Sequence, residues 1–202
     1  MKSTILFSAL LSSGALAAPT VVEAVEARAA CSDMTIIFAR GTTEPGTVGT
    51  LAGPPFFAAV KSQLGGRATL TTQGVDYPAN IAGFLAGGDP AGSQTMANDV
   101  KAALAACPDT KLVMAGYSQG GQLVHNAAKL LGGTMSQVNS AVIFGDPDNG
   151  QPVAGLSAAQ TKIICHAGDN ICQGGALILA PHLTYGQDAG TAASFVIAAA
   201  GL

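Results

Sequence analysis

The sequence predicts an α/β fold with a central parallel sheet flanked by helices on both faces. Short apolar, β-branched runs alternate along the chain with longer amphipathic stretches, which is the pattern of strands connected by helices. The short runs are mostly apolar on both faces, as buried parallel strands are. We therefore expect a sheet of about five strands in a single domain over residues 31–202, a length that suits one hydrophobic core.

The elements can be assigned in chain order. The predicted strands cover residues 34–39, 69–77, 111–115, 140–146 and 161–167. The predicted helices cover residues 54–65, 93–107, 119–133 and 188–201. Gly132 and Gly133 are typical of a helix end, and they set the boundary of the third helix.

Residues 1–17 are predicted to be a secretory signal peptide. Lys2 precedes an apolar stretch that ends in Ala15-Leu16-Ala17, an A-x-A cleavage pattern. The stretch is too short and too rich in small residues for a membrane span. Residues 18–30 are interpreted as a propeptide or flexible N-terminal arm. We expect a secreted, extracellular protein without a membrane span.

The composition excludes some functions. The net charge is −3, and no basic run is present, so nucleic-acid binding is not expected. The chain has no tryptophan and three tyrosines, which leaves few aromatic platforms for sugar rings. We expect no cofactor and a monomeric state.

Four cysteines in a secreted chain predict two disulfides, with three possible pairings. Cys165 and Cys172 flank a short loop and are close enough in sequence to pair locally, which leaves Cys31 for Cys107. A metal site built from these cysteines and His166 is the alternative, but it lacks a CxxC pair. We therefore expect no metal.

The sequence GYSQG, from Gly116 to Gly120, places Ser118 between a predicted strand and a predicted helix. A serine on such a sharp turn presents its hydroxyl, and the flanking glycines relieve the crowding. The helix N-terminus also favours negative charge at the attacked carbonyl. Ser118 is therefore the candidate nucleophile.

A serine nucleophile needs a base, and the chain has three histidines. His125 lies about two helical turns beyond Ser118, roughly 10 Å along the axis, and cannot reach it. His166 falls inside the predicted last strand beside a cysteine, where a structural role is expected. His182 lies in the following loop and completes the Ser, Asp, His chain order of α/β-hydrolases. His182 is the candidate base.

Two carboxylates compete for the role of the acid that orients this base. Asp146 and Asp169 both follow predicted strands, at the sheet edge where sites form. We favour Asp169, because a Cys165–Cys172 bridge would hold its loop rigid. Asp146 remains an alternative for this role. Asp188 is expected to cap the last helix.

An oxyanion needs hydrogen-bond donors. The backbone N–H of Gln119, directly after the nucleophile, supplies one. The second is expected from the loop after the first strand, where Thr42 and Thr43 carry hydroxyls. Thr42 is nearer to the strand end and is the better candidate.

Five motifs together resemble the fungal cutinases of the α/β-hydrolase class. They are ARGTTEPG, CPDTKLVMAGYSQGG, FGDP, CHAGDNIC and APHLTYG, and the resemblance extends from Cys31 nearly to the C-terminus. The resemblance implies a triad, an oxyanion hole and two disulfides. The residues implied are Ser118, Asp169 and His182; Thr42 and Gln119; and the pairs Cys31–Cys107 and Cys165–Cys172. On this basis Asp169 takes precedence over Asp146.

The resemblance also implies a lidless site between two apolar loops, residues 80–90 and 174–183. Apolar loops with a polar rim are typical of the edges of a substrate-binding site. The side chains expected to contact substrate are Phe84, Leu85, Ile178, Leu179 and Leu183.

The resulting hypothesis is a serine esterase that cleaves cutin-type polyesters and short- to medium-chain esters through an acyl-enzyme. An acetylxylan esterase of the same family is the alternative, disfavoured by the absent tryptophan, the small number of cysteines and the apolar second loop. A non-catalytic secreted surface-binding protein is a third hypothesis. The complete set of nucleophile, base, acid and oxyanion donors argues against it.

Overall fold

The computed structural model describes residues 31–202, in which five parallel strands form one sheet. The predicted signal peptide (1–17) and N-terminal arm (18–30) lie outside the described residues. The strands are β1 (Met34–Ala39), β2 (Leu70–Gly74), β3 (Lys111–Tyr117), β4 (Val138–Phe144) and β5 (Thr161–Ile164). Their order across the sheet is β2-β1-β3-β4-β5, and every neighbouring pair is parallel. The predicted fold class is therefore confirmed.

Helices cover both faces of this sheet. They are α1 (Gly53–Leu64), α2 (Ile81–Leu85), α3 (Pro90–Ala106), α4 (Gln119–Leu131) and α5 (Ala189–Ala200). Helices α1 and α5 pack against one face, and α3 and α4 pack against the other. Helix α1 begins with prolines and ends at Gly65, whose left-handed conformation stops the helix.

Each face of the sheet has its own apolar core. On the α3–α4 side, Ile37, Met114 and Ile143 from the three central strands pack against both helices. On the α1–α5 side, Phe38 and Phe144 do the same. These side chains are fully buried, and each contributes about 1.5–3 kcal/mol by leaving water. The two cores fix the carboxyl ends of β1, β3 and β4 relative to one another.

The structure corrects several predicted boundaries. Strand β2 ends at Gly74 rather than residue 77 and is largely exposed, because it lies at the edge of the sheet. Strand β5 ends at Ile164, so the prediction that His166 lies inside it was wrong. Helix α3 begins at Pro90, three residues early, where the Asp89 carboxylate accepts the Gly92 N–H.

A short helix, α2, occupies part of the first apolar loop and was not predicted. Asn80 caps it by accepting the Gly83 N–H at 2.7 Å. Its sequence, IAGFL, is too short for a helical period to be recognised.

The structure contains two disulfides. Cys31–Cys107 ties the start of β1 to the end of α3, and Cys165–Cys172 closes a loop beyond β5. No cysteine of the described region is free. Within residues 31–202, no helix combines the length and apolarity needed to cross a membrane.

Candidate active site

Ser118 lies at the sharp junction between β3 and α4. Its backbone has φ 55° and ψ −121°, a conformation that costs a non-glycine residue on the order of 1–3 kcal/mol. Two backbone bonds hold it there: the Ser118 N–H donates to Phe144 O at 2.9 Å, and Ser118 O accepts from the Gly121 N–H at 2.7 Å. The strained turn directs the serine side chain away from the sheet and into a pocket.

The two glycines of GYSQG allow this junction to form. A Cβ at Gly116 would lie 2.3 Å from the Gly120 carbonyl oxygen, and one at Gly120 would lie 2.0 Å from Ala39 O. Both distances are far below van der Waals contact, so strand β3, helix α4 and the end of β1 approach this closely only with glycine at both positions.

Asp169 and His182 form a buried pair next to Ser118. Asp169 Oδ2 lies 2.8 Å from His182 Nδ1, and the residues are 0 % and 1 % exposed. Because a carboxylate only accepts, Nδ1 carries a proton, and in the neutral ring Nε2 then has the lone pair. Among the described residues Nε2 has no hydrogen-bond partner, so the Ser118–His182 hydrogen bond is not formed. Such bonds commonly tighten only when substrate is bound.

Further donors keep Asp169 ionised. Its Oδ2 also accepts the Tyr185 O–H at 2.6 Å, and its Oδ1 accepts the Ile171 N–H at 3.0 Å. Burial acts to raise the pKa of Asp169, but the hydrogen bonds from His182, Tyr185 and Ile171 outweigh it and leave the pKa below its ordinary value. The carboxylate is thus held as an anion facing the ring.

Two tyrosines support this pair, and the sequence reasoning missed both. Tyr185 is fully buried and binds Asp169 directly. Tyr117, next to the serine, donates its O–H to His182 O at 2.8 Å. The chain has only three tyrosines, and two of them lie within three residues of Ser118 or His182 in the sequence, but a single sequence does not show which groups they contact.

The proposed oxyanion donors lie on neighbouring segments. Thr42 Oγ1 accepts a 2.8 Å hydrogen bond from Gln119 Nε2, so its own hydroxyl proton is available to a substrate oxygen. The same Nε2 donates to Asn80 O at 2.9 Å. Thr43, the other candidate, donates its hydroxyl to Thr42 O at 2.7 Å instead. This arrangement favours Thr42 over Thr43.

Ser118 and His182 line a pocket of about 470 Å³ whose walls are largely apolar. The apolar lining includes Leu51, Ile81, Phe84, Leu85, Ile178 and Leu183. Of the side chains predicted to contact substrate, Phe84, Leu85, Ile178 and Leu183 lie in this lining. Leu179 does not: it is exposed on the same segment. Leu51 was missed because it lies outside both predicted loops, and Ile81 lies in the first predicted loop but was not among the side chains named.

The remaining histidines have partners elsewhere. His125 Nε2 lies 3.0 Å from Asp146 Oδ2, and both are buried, so Asp146 is bonded to His125 rather than to His182. His125, Asp146 and Asp148 are close enough to hold a cation. In this structure His125 Nε2 bonds to Asp146 Oδ2, and the Asp148 backbone N–H donates to Asp146 Oδ1.

His166 pairs with Asp188 at 2.6 Å. Asp188 was predicted to cap α5, and this was wrong: it makes no capping bond to the helix.

A parallel sheet with a serine at a strand-to-helix elbow, followed in the chain by a hydrogen-bonded aspartate and histidine, defines an α/β-hydrolase of the serine type. The Cutinase family model matches residues 30–200. The chain therefore belongs to the cutinase family, as the sequence resemblance indicated, and is a serine carboxylic ester hydrolase.

Relatives and solved structures agree with this assignment. A cutinase of Botryotinia fuckeliana is 66% identical over 98% of this chain and 96% of its own length. A Trichoderma reesei cutinase, solved in complex with a C11Y4 phosphonate inhibitor, is 53% identical, with a TM-score of 0.81 over 84% of this chain and 77% of that chain. The catalytic core domain of an acetyl xylan esterase from Trichoderma reesei is 25% identical, with a TM-score of 0.63 over 83% of this chain and 98% of that one.

Proposed function

We propose that this chain is a secreted serine esterase that hydrolyses cutin-type polyesters and short- to medium-chain carboxylic esters. The observation that carries the proposal is the buried Asp169–His182 pair beside Ser118 in an apolar pocket. The names of its relatives support the polyester substrate. Its two disulfides and the signal-like sequence of residues 1–17 support an oxidising, extracellular location.

In the proposed mechanism, Ser118 Oγ attacks the ester carbonyl carbon while His182 Nε2 takes the hydroxyl proton. Asp169 holds the Nδ1 proton and stabilises the imidazolium that forms. The ring then gives its Nε2 proton to the leaving alkoxide, which departs as the alcohol and leaves an acyl-serine. A water attacks this acyl group, again with His182 as the base, and releases the carboxylic acid and free Ser118.

The negative charge that develops on the carbonyl oxygen needs donors in both steps. We assign this role to the Gln119 N–H and the Thr42 hydroxyl, the second of which is oriented by the Gln119 side chain. Gln119 is the first residue of α4, so the helix N-terminus adds its partial positive charge at the same place.

Labelling and mutation test the catalytic assignment. A phosphonate ester should modify Ser118 and no other residue, as found by peptide mapping. Ser118→Ala should fold normally and lower kcat by roughly 10⁴-fold or more. Modification elsewhere, or a fully active Ser118→Ala enzyme, would refute the assignment.

An acetylxylan esterase is the second candidate, supported by the structural similarity to enzymes of that name. A series of p-nitrophenyl esters, run beside acetylated xylan and a polyester film, separates the two. We expect acyl chains of about four to six carbons to be preferred over acetate, because each methylene in contact with the apolar wall adds up to about 0.8 kcal/mol. If acetate were the best substrate and the film stayed intact, the second candidate would replace the first.

A further inference from the structure

Among the histidines of residues 31–202, only His166 has an acceptor oxygen next to each of its two ring nitrogens. One acceptor is a backbone carbonyl and the other is a carboxylate. Its Nδ1 lies 2.8 Å from Pro181 O, and its Nε2 lies 2.6 Å from Asp188 Oδ2. A carbonyl oxygen and a carboxylate can only accept. Both contacts are hydrogen bonds only when both nitrogens carry protons, that is, when the ring is an imidazolium.

A neutral ring would leave a lone pair against one of these oxygens. The hydroxyl of Thr184 lies 3.1 Å from His166 Nδ1 and also donates to Pro181 O at 3.0 Å. It could turn to donate to a deprotonated Nδ1, but it would then leave Pro181 O without either donor. The neutral ring therefore cannot satisfy the same set of partners.

These partners frame the residue proposed as the catalytic base. Pro181 immediately precedes His182, and Asp188 immediately precedes helix α5. The His166 ring also stacks on Tyr185, with centroids 4.1 Å apart, and the backbone N–H of His166 donates to the Tyr185 hydroxyl at 3.0 Å. Tyr185 in turn donates to Asp169. His166 thus contacts both sides of the segment that carries His182, and its neighbour Tyr185 binds the acid.

We propose that His166 is a positioning residue, a cationic latch that holds residues 181–188 so that His182 keeps its place beside Asp169. This proposal rests on the proposed role of His182 as the base. The latch works through two charge-assisted hydrogen bonds, which are shorter and stronger than neutral ones, and it opens when the ring loses its proton.

The charged and titratable groups around the His166 ring favour its protonated form, in which the latch is formed. Partial burial acts to lower the pKa of His166, but the bonds to Pro181 O and Asp188 and the charges of Asp188 and Asp169 outweigh it, so the pKa lies above its ordinary value. Tyr185 faces the ring as a neutral phenol, because burial raises its pKa. His182, which is hydrogen-bonded to Asp169, is the remaining titratable group near the His166 ring.

Nitrogen-15 NMR of the imidazole rings tests the latch without relying on activity. The chain has only three histidines, so their signals can be assigned by single substitutions. We expect both His166 nitrogens to be protonated at pH 6 and the ring to titrate above pH 6.5, the ordinary midpoint. Asp188→Asn keeps the shape and removes the charge, and should move this titration to lower pH.

Kinetics with a soluble butyrate ester provide the second readout. His166→Asn should lower kcat roughly tenfold or more and raise KM by less, because a misplaced base slows chemistry while most of the apolar lining lies outside residues 181–188. The wild-type enzyme should lose kcat as His166 deprotonates, Asp188→Asn should lose it at lower pH, and His166→Asn should lack this step. Asp109→Asn, an exposed carboxylate at the opposite end of β3, is the control and should match the wild type.

A His166 ring with a single proton at pH 6, or a His166→Asn enzyme with wild-type kcat and pH profile, would overturn the latch. The proposed function fails separately: it would be refuted if Ser118→Ala remained active, while the protonation state of His166 would stand as measured.

Discussion

The side-chain amide of Gln119 donates at 2.8 Å to the hydroxyl of Thr42, a residue that lines the pocket. Gln119 thus has two functions in the proposed site. Its backbone N–H is one proposed oxyanion donor, and its side chain orients the other proposed donor by occupying an acceptor position of the Thr42 hydroxyl. A second bond from the same nitrogen to Asn80 O ties this arrangement to the start of α2.

Thr42→Ala should therefore lower kcat by about 10²- to 10³-fold for a soluble ester, as the loss of one oxyanion donor does. Thr42→Ser keeps the hydroxyl and should retain most of the activity. Thr43→Ala is the matched control, because the Thr43 hydroxyl bonds to Thr42 O; we expect at most a small change. Equal losses in Thr42→Ala and Thr43→Ala would show that the hydroxyl of Thr42 has no special role.

Tyr185→Phe should weaken both activity and stability. It deletes the donor to Asp169 and the acceptor for the His166 N–H inside a buried cluster, and unpaired buried polar groups cost about 1–3 kcal/mol. Chemical denaturation measures this loss. We expect kcat to fall more than KM rises, and a variant with unchanged stability and kcat would contradict the contacts described.

Much of this architecture can be predicted from the sequence, and the reasons differ from element to element. Strands β1 and β3 are apolar and fully buried apart from Lys111, so local pattern and tertiary environment agree. The elbow at Ser118 has a distinctive glycine pattern that its close contacts require.

Two contacts between side chains that are distant along the chain were not predicted, that of His166 with Asp188 and that of Tyr185 with Asp169. Asp188 precedes a helix and is a sound capping candidate on local grounds, yet His166 lies within reach in the fold and takes its carboxylate instead. Tyr185 becomes a partner of Asp169 only because the fold brings the segment of His182 and Tyr185 against the disulfide-closed loop 165–172 after β5. Such choices depend on tertiary packing, which local propensity does not encode.

As the pH is lowered, the enzyme should lose activity at a higher pH than the pH at which it unfolds. A histidine base must be neutral to accept the serine proton, so kcat/KM should fall as acid protonates that base. Asp169 has a pKa below its ordinary value when folded. Its contribution to stability is present above the unfolded pKa of about 3.9 and is lost only as pH falls through the lower, folded pKa. Profiles of kcat/KM between pH 3 and 9 measure the loss of activity, and thermal melts over the same range measure the loss of stability. A kcat/KM that stayed flat down to pH 4 would exclude a histidine base.

The two disulfides should contribute differently. In the chain-entropy model, the Cys165–Cys172 bond, with a sequence separation of 7, stabilises the fold by roughly 2.4 kcal/mol, and the Cys31–Cys107 bond, with a separation of 76, by roughly 4.5 kcal/mol. The short loop, however, carries Asp169. Replacing Cys165 and Cys172 together with alanine should therefore reduce kcat more than it reduces stability. The matched Cys31/Cys107 double variant should show the opposite balance, and equal behaviour of the two would refute this division.

Charge on the apolar wall should harm attack on a polymer more than hydrolysis of a small ester. Ile178 and Leu183 line the pocket and are 56% and 47% exposed, so they can contact a polyester surface without rearrangement. Leu179 is 43% exposed on the same segment but lies outside the lining. It offers a matched control with nearly the same exposure.

Ile178→Glu or Leu183→Glu should lower the rate on a polyester film severalfold more than the kcat for soluble butyrate. A charged group cannot replace the apolar contacts that a chain of methylenes gains there, each of which contributes up to about 0.8 kcal/mol, a roughly fourfold effect. Leu179→Glu should change the film rate less than either variant if the pocket wall, rather than the whole exposed segment, selects the acyl chain. Parallel measurements of film weight loss and butyrate hydrolysis decide the point. If all three variants lost the same fraction of the film rate, the exposed surface around the pocket, and not the pocket wall, would determine the attack on the polymer.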